Sequence, residues 1–210
     1  MKDDNTSVSD LLAHPKSIQI GAYLKAKLED KRYRHVLSVR DMALELAVKH
    51  GADLQKTNLV AMLHDCATWM DTRQLFEAVA DYQIQLDEFE RINASLLHAL
   101  IGAELALDIF SVGDEEILSA VRSHTKGSKS MTLVDKVLFV ADFSEPNRTY
   151  PEAGAVRKIA NKNLTQAVFE VARFKISNLL DKRKVIHPDT LAVYNDALRE
   201  IENSRVANEA

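Results

Sequence analysis

A histidine followed directly by an aspartate, His64-Asp65, closes the apolar, helix-like run at residues 59–63. An imidazole beside a carboxylate is a ready metal chelate, and an apolar setting makes it costly to leave such groups unpaired. Comparable settings hold four further candidates at wide intervals: His35, His98, His124 and Asp142. Nitrogen and carboxylate ligands without thiolate suit Fe, Mn, Co or Zn. The pattern therefore predicts a transition-metal centre, and the single Cys66 is interpreted as a small core residue.

The elements that must bring these side chains together all have helical periodicity. Six glycines and four prolines in 210 residues leave little turn-rich β structure. Asp53, Asp71 and Asp114 stand where N-caps are expected, and Gly51 stands where a helix must stop. The predicted helices cover about 17–29, 33–50, 54–65, 72–81, 95–110, 115–124, 131–144, 152–182 and 189–203. We expect an all-α fold, a single-domain helical bundle of about eight helices that converge on one pocket.

Composition and charge narrow the function classes. We expect residues 17–205 to form the one domain and the polar residues 1–16 to be a flexible N-terminal extension. A net charge of −4 offers no broad basic surface, so we expect no nucleic-acid partner. No apolar run approaches the ~20 residues of a membrane span, and the first residues do not resemble a signal peptide. We therefore expect no membrane association, and one cysteine suits a reducing, cytoplasmic location.

Longer stretches around the candidate residues are more specific than the residues themselves. They are 32–39 (RYRHVLSV), 61–65 (AMLHD), Leu97-His98 with Gly102-Ala103, 124–127 (HTKG), 131–148, 187–190 (HPDT) and Tyr194-Asn195. The pattern of His35, His64-Asp65 and Asp142 resembles the HD-domain superfamily of metal-dependent phosphohydrolases. The run ADFSEPNR at 141–148 resembles one branch, the YqeK family of symmetrical bis(5'-nucleosyl)-tetraphosphatases, and the likeness covers about 22–200.

This resemblance implies an HD-domain fold and a defined reaction. Members of the family cleave diadenosine tetraphosphate into two ADP with a bound divalent metal, commonly iron. The implied metal ligands are His35, His64, Asp65 and Asp142. The implied nucleotide-binding residues are Thr68, His98, His124, Thr125, Arg148 and His187. Of these, His98 and His124 either face the phosphates or complete a second metal site, and the segment around His187 closes over the nucleoside.

The chemistry of a phosphoanhydride agrees with catalytic roles for Asp65, His98 and His124. Cleavage requires a cation that neutralises equatorial oxygens and an activated water placed in line with the bond. Asp65 is placed to accept or orient the water proton, while His98 or His124 can protonate the leaving ADP oxygen. Arg148 offers a planar fork for a phosphate.

Departures from the family pattern keep alternatives open. Thr68 stands where relatives carry a lysine, and Lys126 and Lys129 are candidates to replace part of that charge. One alternative is an HD phosphohydrolase that acts on another nucleotide, such as a deoxynucleotide or a guanosine polyphosphate. The other is a non-catalytic nucleotide-binding HD module, against which the intact ligand set argues. The expected partner is a small-molecule nucleotide, and a homodimer stays open.

Overall fold

Helices account for all the regular secondary structure in residues 8–209, the part of the chain that the computed structural model describes. Short turns join twelve α-helices, and one 3-10 turn at Ala94–Leu96 precedes the seventh. In chain order the helices are α1 (Val8–Ala13), α2 (Pro15–Lys27), α3 (Asp30–His50), α4 (Leu54–Leu63), α5 (Thr72–Asp81), α6 (Glu88–Ile92), α7 (Leu97–Asp108), α8 (Glu115–Ser123), α9 (Leu133–Ser144), α10 (Pro151–Ala160), α11 (Leu164–Asp181) and α12 (Pro188–Glu209). The expected all-α, single-domain bundle is confirmed.

Aspartate side chains cap the N-termini of α4, α5 and α8, as the positions of these residues in the sequence predicted. Asp53 accepts a hydrogen bond from the Lys56 amide at the start of α4. Asp71 completes a capping box at α5, and Asp114 accepts from the first free amides of α8. Each carboxylate satisfies donors that have no partner within the helix and lies at the positive end of the helix dipole. Gly51 ends α3 with a φ of 76°, a left-handed conformation that glycine adopts without strain.

The structure contains more helices than the hydrophobic pattern predicted. Helix α6 has five residues, too few to show a periodic pattern, and begins with an Asp87–Glu90 capping box. The stretch 152–182 is divided because the chain turns at 161–163, where Asn163 caps α11. Residues 1–7 lie outside the described residues. The rest of the expected N-terminal extension differs from the prediction, because α1 buries Leu11 and α2 already begins at Pro15.

The core lies between α3, α4, α7, α8 and α9. Helix α3 packs on α4 and α9, α7 packs on α8, and α4 also contacts α8 and α9. Val36, Leu63, Ile101 and Phe139 are fully buried at these contacts. Helices α10 and α11 pack against α9, and α12 packs on α11, so that these three helices form a second layer. Within residues 8–209, no helix combines the length and the apolarity needed to cross a membrane.

The turn after α8 holds the second layer against the first. Gly127 has a φ of 79°, and its amide donates to the Ser123 carbonyl at 2.6 Å. The hydroxyl of Thr190 at the start of α12 donates to the Lys126 carbonyl at 2.9 Å. A Cβ at position 127 would overlap the Val193 side chain of α12. Both the positive φ and the lack of space therefore require glycine here.

We expect Gly127→Ala to destabilise the protein by about 2–4 kcal/mol, because alanine is strained at positive φ and must displace Val193. The matched control is Gly154→Ala, a helical glycine of α10 whose added Cβ meets no atom within 4 Å. That change should raise stability by about 0.5–1 kcal/mol through helix propensity. Urea unfolding measures both free energies, and equal effects of the two substitutions would contradict this account of the turn.

Candidate metal centre

Six residues predicted from the sequence lie together where three helices and the C-termini of two others meet. His35 lies in α3, His98 in the first turn of α7 and Asp142 near the end of α9. His64 follows α4 directly and His124 follows α8 directly. Those two positions are helix C-termini, where exposed carbonyl groups favour a positive charge. The C-termini of α4 and α8 therefore favour a cation in this pocket.

The ligand atoms form two groups that share one aspartate. The first group is His35, His64 and Asp142, and the second is Asp65, His98 and His124; within each, the ligand atoms all lie within 4.8 Å of one another. Asp65 also faces the first group, since its Oδ2 lies 3.4 Å from His64 Nε2 and 3.7 Å from His35 Nε2. Its Oδ1 lies 3.4 Å from His98 Nε2 and 3.9 Å from His124 Nε2. The carboxylate therefore bridges the two groups.

All four imidazoles present Nε2 to this pocket, because an oxygen acceptor holds each Nδ1. The pairs are His64 with Ala61 O at 2.7 Å, His98 with Ser95 O at 2.7 Å, His124 with Val121 O at 2.8 Å and His35 with Glu145 Oε1 at 3.0 Å. Carbonyl and carboxylate oxygens only accept hydrogen bonds, so each Nδ1 carries the proton and leaves a lone pair on Nε2.

These lone pairs have no satisfactory partners within the described residues. The buried His64 Nε2 makes no hydrogen bond there. His98 Nε2 lies 3.2 Å from His124 Nε2, and His35 Nε2 lies 3.1 Å from Asp142 Oδ1, so acceptors face acceptors. A cation placed among them removes this repulsion. Four imidazole nitrogens and two carboxylates are a donor set that fits a divalent transition metal.

The pKa shifts agree with a site built for positive charge. Burial lowers the pKa of His64, but the charges of Asp65 and Asp142 outweigh it and raise that pKa. Burial raises the pKa of Asp65, but the imidazoles of His64 and then His98, each 3.4 Å from one of its oxygens, hold that pKa well below its usual range. Burial together with neighbouring His98 and His64 lowers the pKa of His124 to about 3, so its imidazole is neutral. A neutral imidazole is the form that binds a metal.

Glu145 supports the centre from behind, and the sequence interpretation did not assign it a role. Its buried carboxylate accepts from His35 Nδ1 at 3.0 Å and from the Asn147 amide at 2.6 Å. The guanidinium of Arg157 donates to the Ser144 carbonyl at 2.7 Å and fixes the end of α9. A carboxylate behind a metal-binding histidine sets its tautomer and raises its basicity. The signal in the sequence was an acidic residue placed between the apolar helix of Asp142 and a proline.

Two arginines contact the carboxylates of the centre. Arg32 Nη1 donates to Asp65 Oδ2 at 2.8 Å, and Arg148 Nη2 donates to Asp142 Oδ1 at 3.2 Å. The sequence predicts Arg148 as a phosphate-binding residue, whereas it assigns no role to Arg32, which begins the family-like stretch 32–39. Both guanidinium groups are partly exposed and donate from the rim to the carboxylate oxygens of the candidate centre.

Two of the three remaining predicted nucleotide-binding residues line a cavity beside the centre, and the third does not. Thr125 and His187 line a cavity of about 450 Å³ that adjoins the His98 and His124 side. The buried Thr125 hydroxyl has no hydrogen-bond partner within the described residues. Thr68 lines neither this cavity nor the cleft beside His35; its hydroxyl donates to the Asp65 carbonyl at 2.8 Å and holds that turn.

A third group of possible metal ligands contains the ammonium of Lys126, the residue after Thr125, where a metal ion would otherwise lie. Asp87, Glu90 and His187 also place ligand atoms within 4.8 Å of one another. The Lys126 ammonium lies 2.9 Å from Glu90 Oε1 and 3.3 Å from His187 Nε2, and His187 Nε2 lies 2.9 Å from Asp87 Oδ2. The lysine already balances these charges. The group therefore connects α6, the turn after α8 and the start of α12, and is not a metal site.

Comparison with known proteins places this architecture in a family. Residues 32–146 match the HD domain. The crystal structure of a predicted HD superfamily hydrolase involved in NAD metabolism, from Clostridium acetobutylicum, has a TM-score of 0.83 with this chain at 30% identity. The similarity covers 88% of this chain and 97% of that one. The chain belongs to the HD domain family, as the sequence resemblance predicted.

Two relatives define the branch. A symmetrical bis(5'-nucleosyl)-tetraphosphatase from Bacillus subtilis is 37% identical over 174 residues, which are 83% of this chain and 93% of the relative. A protein of the same description from Halalkalibacterium halodurans is 37% identical over 177 residues, or 84% of this chain and 94% of the relative. Within the HD domain family, the chain thus falls among the symmetrical bis(5'-nucleosyl)-tetraphosphatases.

We expect Asp142→Ala to lose most of its bound metal, since removing one charged ligand from a buried site costs about 3–5 kcal/mol. Chelation should lower the melting temperature of the wild-type protein reversibly, because metal at 100 times its Kd stabilises the folded state by about 2.7 kcal/mol. Asp135→Ala is the control, since that carboxylate caps the opposite end of the same helix. Elemental analysis measures the metal content and thermal melts measure the stability. Normal metal content in Asp142→Ala would show that Asp142 is not a metal ligand.

Glu145→Gln should raise the Kd for the metal about 10- to 100-fold without removing the site. A glutamine carries no charge, and its amide cannot accept from both His35 Nδ1 and the Asn147 amide as the carboxylate does. Competition with a metal-binding dye measures the Kd. Glu152→Gln, a charge change in the first turn of α10, is the control and should bind metal as the wild type does. Equal Kd values for both variants would show that Glu145 does not support metal binding.

Proposed function

We propose that this protein hydrolyses diadenosine tetraphosphate symmetrically to two ADP in a metal-dependent reaction. The observation that carries the proposal is the buried donor set of four Nε2 lone pairs and two carboxylates with a cleft or cavity on either side. Membership of a family whose curated relatives are symmetrical tetraphosphatases supports the same reaction. The substrate is a small nucleotide, and a cytoplasmic location belongs to the proposal.

We assign His35, His64, Asp65 and Asp142 as ligands of one metal. Asp65 Oδ1, His98 and His124 would hold a second metal, because their ligand atoms form a compact group of their own. Imidazole and carboxylate donors without thiolate suit Fe, Mn, Co or Zn, and among these iron is the proposed metal because the family resemblance implies it. A bound divalent metal would neutralise phosphate oxygens and make an attacking water more acidic. Elemental analysis of the purified protein tests the choice of iron.

The side chains around the donor set supply the remaining parts of the reaction. The Asp65 carboxylate is held as an anion and can accept or orient the proton of the attacking water. His98 is more exposed than His124, with 15% against 2% of the side chain exposed, and is therefore the more accessible of the two to a bound phosphate. Arg148 provides a guanidinium that can move from Asp142 to a phosphate. Binding, proton acceptance and charge neutralisation are thus divided among different residues.

We expect diadenosine tetraphosphate to give ADP as the sole nucleotide product, because a symmetrical cut makes a complete ADP the leaving group. His98→Ala and His124→Ala should each lower kcat by roughly 10²–10⁴-fold with a smaller change in KM. Chromatography of the products and steady-state kinetics measure these results. Arg148→Ala should mainly raise KM if its phosphate is remote from the cleaved bond.

Three outcomes would change the assignment. ATP together with AMP would contradict symmetrical cleavage. No turnover with any divalent metal, despite nucleotide binding, would favour the non-catalytic binding module, and a panel of deoxynucleotides and guanosine polyphosphates would identify a different HD phosphohydrolase. Metal content separates the two roles of His98 and His124, because a second-metal role requires His124→Ala to lose metal, whereas a general-acid role leaves metal content unchanged.

A further inference from the structure

A second cleft, beside His35, is lined only by polar and charged residues. It has a volume of about 530 Å³, and its cations are Lys31, Arg32, Arg34 and Arg148. Three of them come from the first turns of α3, and Arg148 comes from the loop after α9. Such a concentration of positive charge contrasts with the net charge of −4 for the whole chain. We call it the basic cleft.

The acidic residues of the basic cleft do not neutralise it. Glu145 is buried and already accepts from His35 and the Asn147 amide, and Glu29 is the other carboxylate of the lining. Lys31 and Arg34 are exposed and form no ion pair within residues 8–209. Arginine guanidinium groups bind phosphates through paired hydrogen bonds. The cleft therefore has unused capacity for a polyanion.

The basic cleft adjoins the metal centre on a different side from the 450 Å³ cavity. Arg32 and Arg148 line the cleft and donate to Asp65 and Asp142, respectively. The cavity instead borders His124 through Thr125, and its lining includes the apolar residues Phe89, Ile92, Leu96, Leu179 and Val185. An apolar wall suits a nucleobase, whereas the basic cleft contains no apolar or aromatic hydrocarbon side chain against which a base could pack.

We propose that the basic cleft binds the phosphates of one nucleotide half of the substrate and does not recognise the base of that half. This inference rests on the proposed function. The other half places its nucleoside in the apolar cavity, so the metal centre lies between two halves that are held differently. The enzyme should then select substrates by the number of phosphates and accept dinucleoside tetraphosphates in which one of the two bases varies.

The double substitution Lys31→Gln/Arg34→Gln tests the phosphate contact in the metal-loaded protein. Each exposed charge pair is worth up to a factor of about five, so the KM for diadenosine tetraphosphate should rise about 5- to 30-fold, with less effect on kcat. The matched control is Lys49→Gln, which removes an exposed cation from the same helix, roughly 22 Å from Arg34. Raising the salt concentration should reduce the difference between wild type and variant.

Binding of inorganic tripolyphosphate gives a readout that does not depend on turnover. Calorimetry should show weaker tripolyphosphate binding by the double variant and unchanged binding by Lys49→Gln. Arg34→Lys, which keeps the charge but loses the paired hydrogen bonds, should bind more tightly than the double variant and less tightly than the wild type. Equal binding by the double variant and the wild type would overturn the inference even if the tetraphosphate is hydrolysed. Failure of the wild type to hydrolyse the tetraphosphate would instead contradict the proposed function.

Base tolerance is tested with the mixed adenosine–guanosine tetraphosphate. Its KM should lie within about twofold of the value for the diadenosine compound, because one base is not contacted in either substrate. A KM more than tenfold higher would show that both bases are recognised and would overturn this part of the inference. A melting curve of each variant confirms that the exposed substitutions leave the fold intact.

Discussion

The site depends on one buried carboxylate, that of Asp65, which is 3% exposed. A carboxylate in such a place is stable only where positive or hydrogen-bonding groups surround it. Its two oxygens meet this requirement in opposite directions: Oδ2 faces Arg32, His35 and His64, and Oδ1 faces His98 and His124. These partners belong to α3, α4, α7 and α8 or follow them directly. Satisfying one charge therefore fixes the relative positions of four helices.

The backbone itself orients most of the imidazoles. His64, His98 and His124 each direct Nδ1 to the carbonyl three residues earlier, a contact that a helical turn provides locally. His35 differs, because its Nδ1 partner is Glu145, 110 residues later in the chain. Three imidazoles are thus oriented by their own helical turns, and the fourth is oriented by the packing of α3 against α9. The assembled centre presents lone pairs to one point, which explains why a cation is required there.

Charge is arranged in layers around this point. Carboxylates and imidazoles occupy the interior, and guanidinium groups of Arg32 and Arg148 form part of the rim. On the side of His124, Lys175 donates to the Thr125 carbonyl at 2.9 Å, and burial lowers its pKa to about 8. In the proposed mode of binding, a polyphosphate would therefore contact cations along its length. The cavity has apolar walls and the basic cleft has polar ones, so the two nucleotide halves would lie in unlike surroundings.

The sequence by itself determined the helical class, the helix starts at Asp53, Asp71 and Asp114, and the six residues of the centre. Periodicity, capping and local turn chemistry act over a few residues, so they can be read without the tertiary structure. The family resemblance added the expected reaction and the expected ligands as a set, but not their division into two groups.

Only the tertiary structure decided which side chains meet. The bridging position of Asp65, the support of His35 by Glu145 and the basic cleft all join residues that are distant in sequence. Helix α6 was too short to detect, and the charge of Lys126 proved to balance Glu90 and His187. These outcomes depend on how the helices pack. A charged side chain interacts with the groups that lie within a few ångströms of it, and those groups cannot be identified from the local sequence.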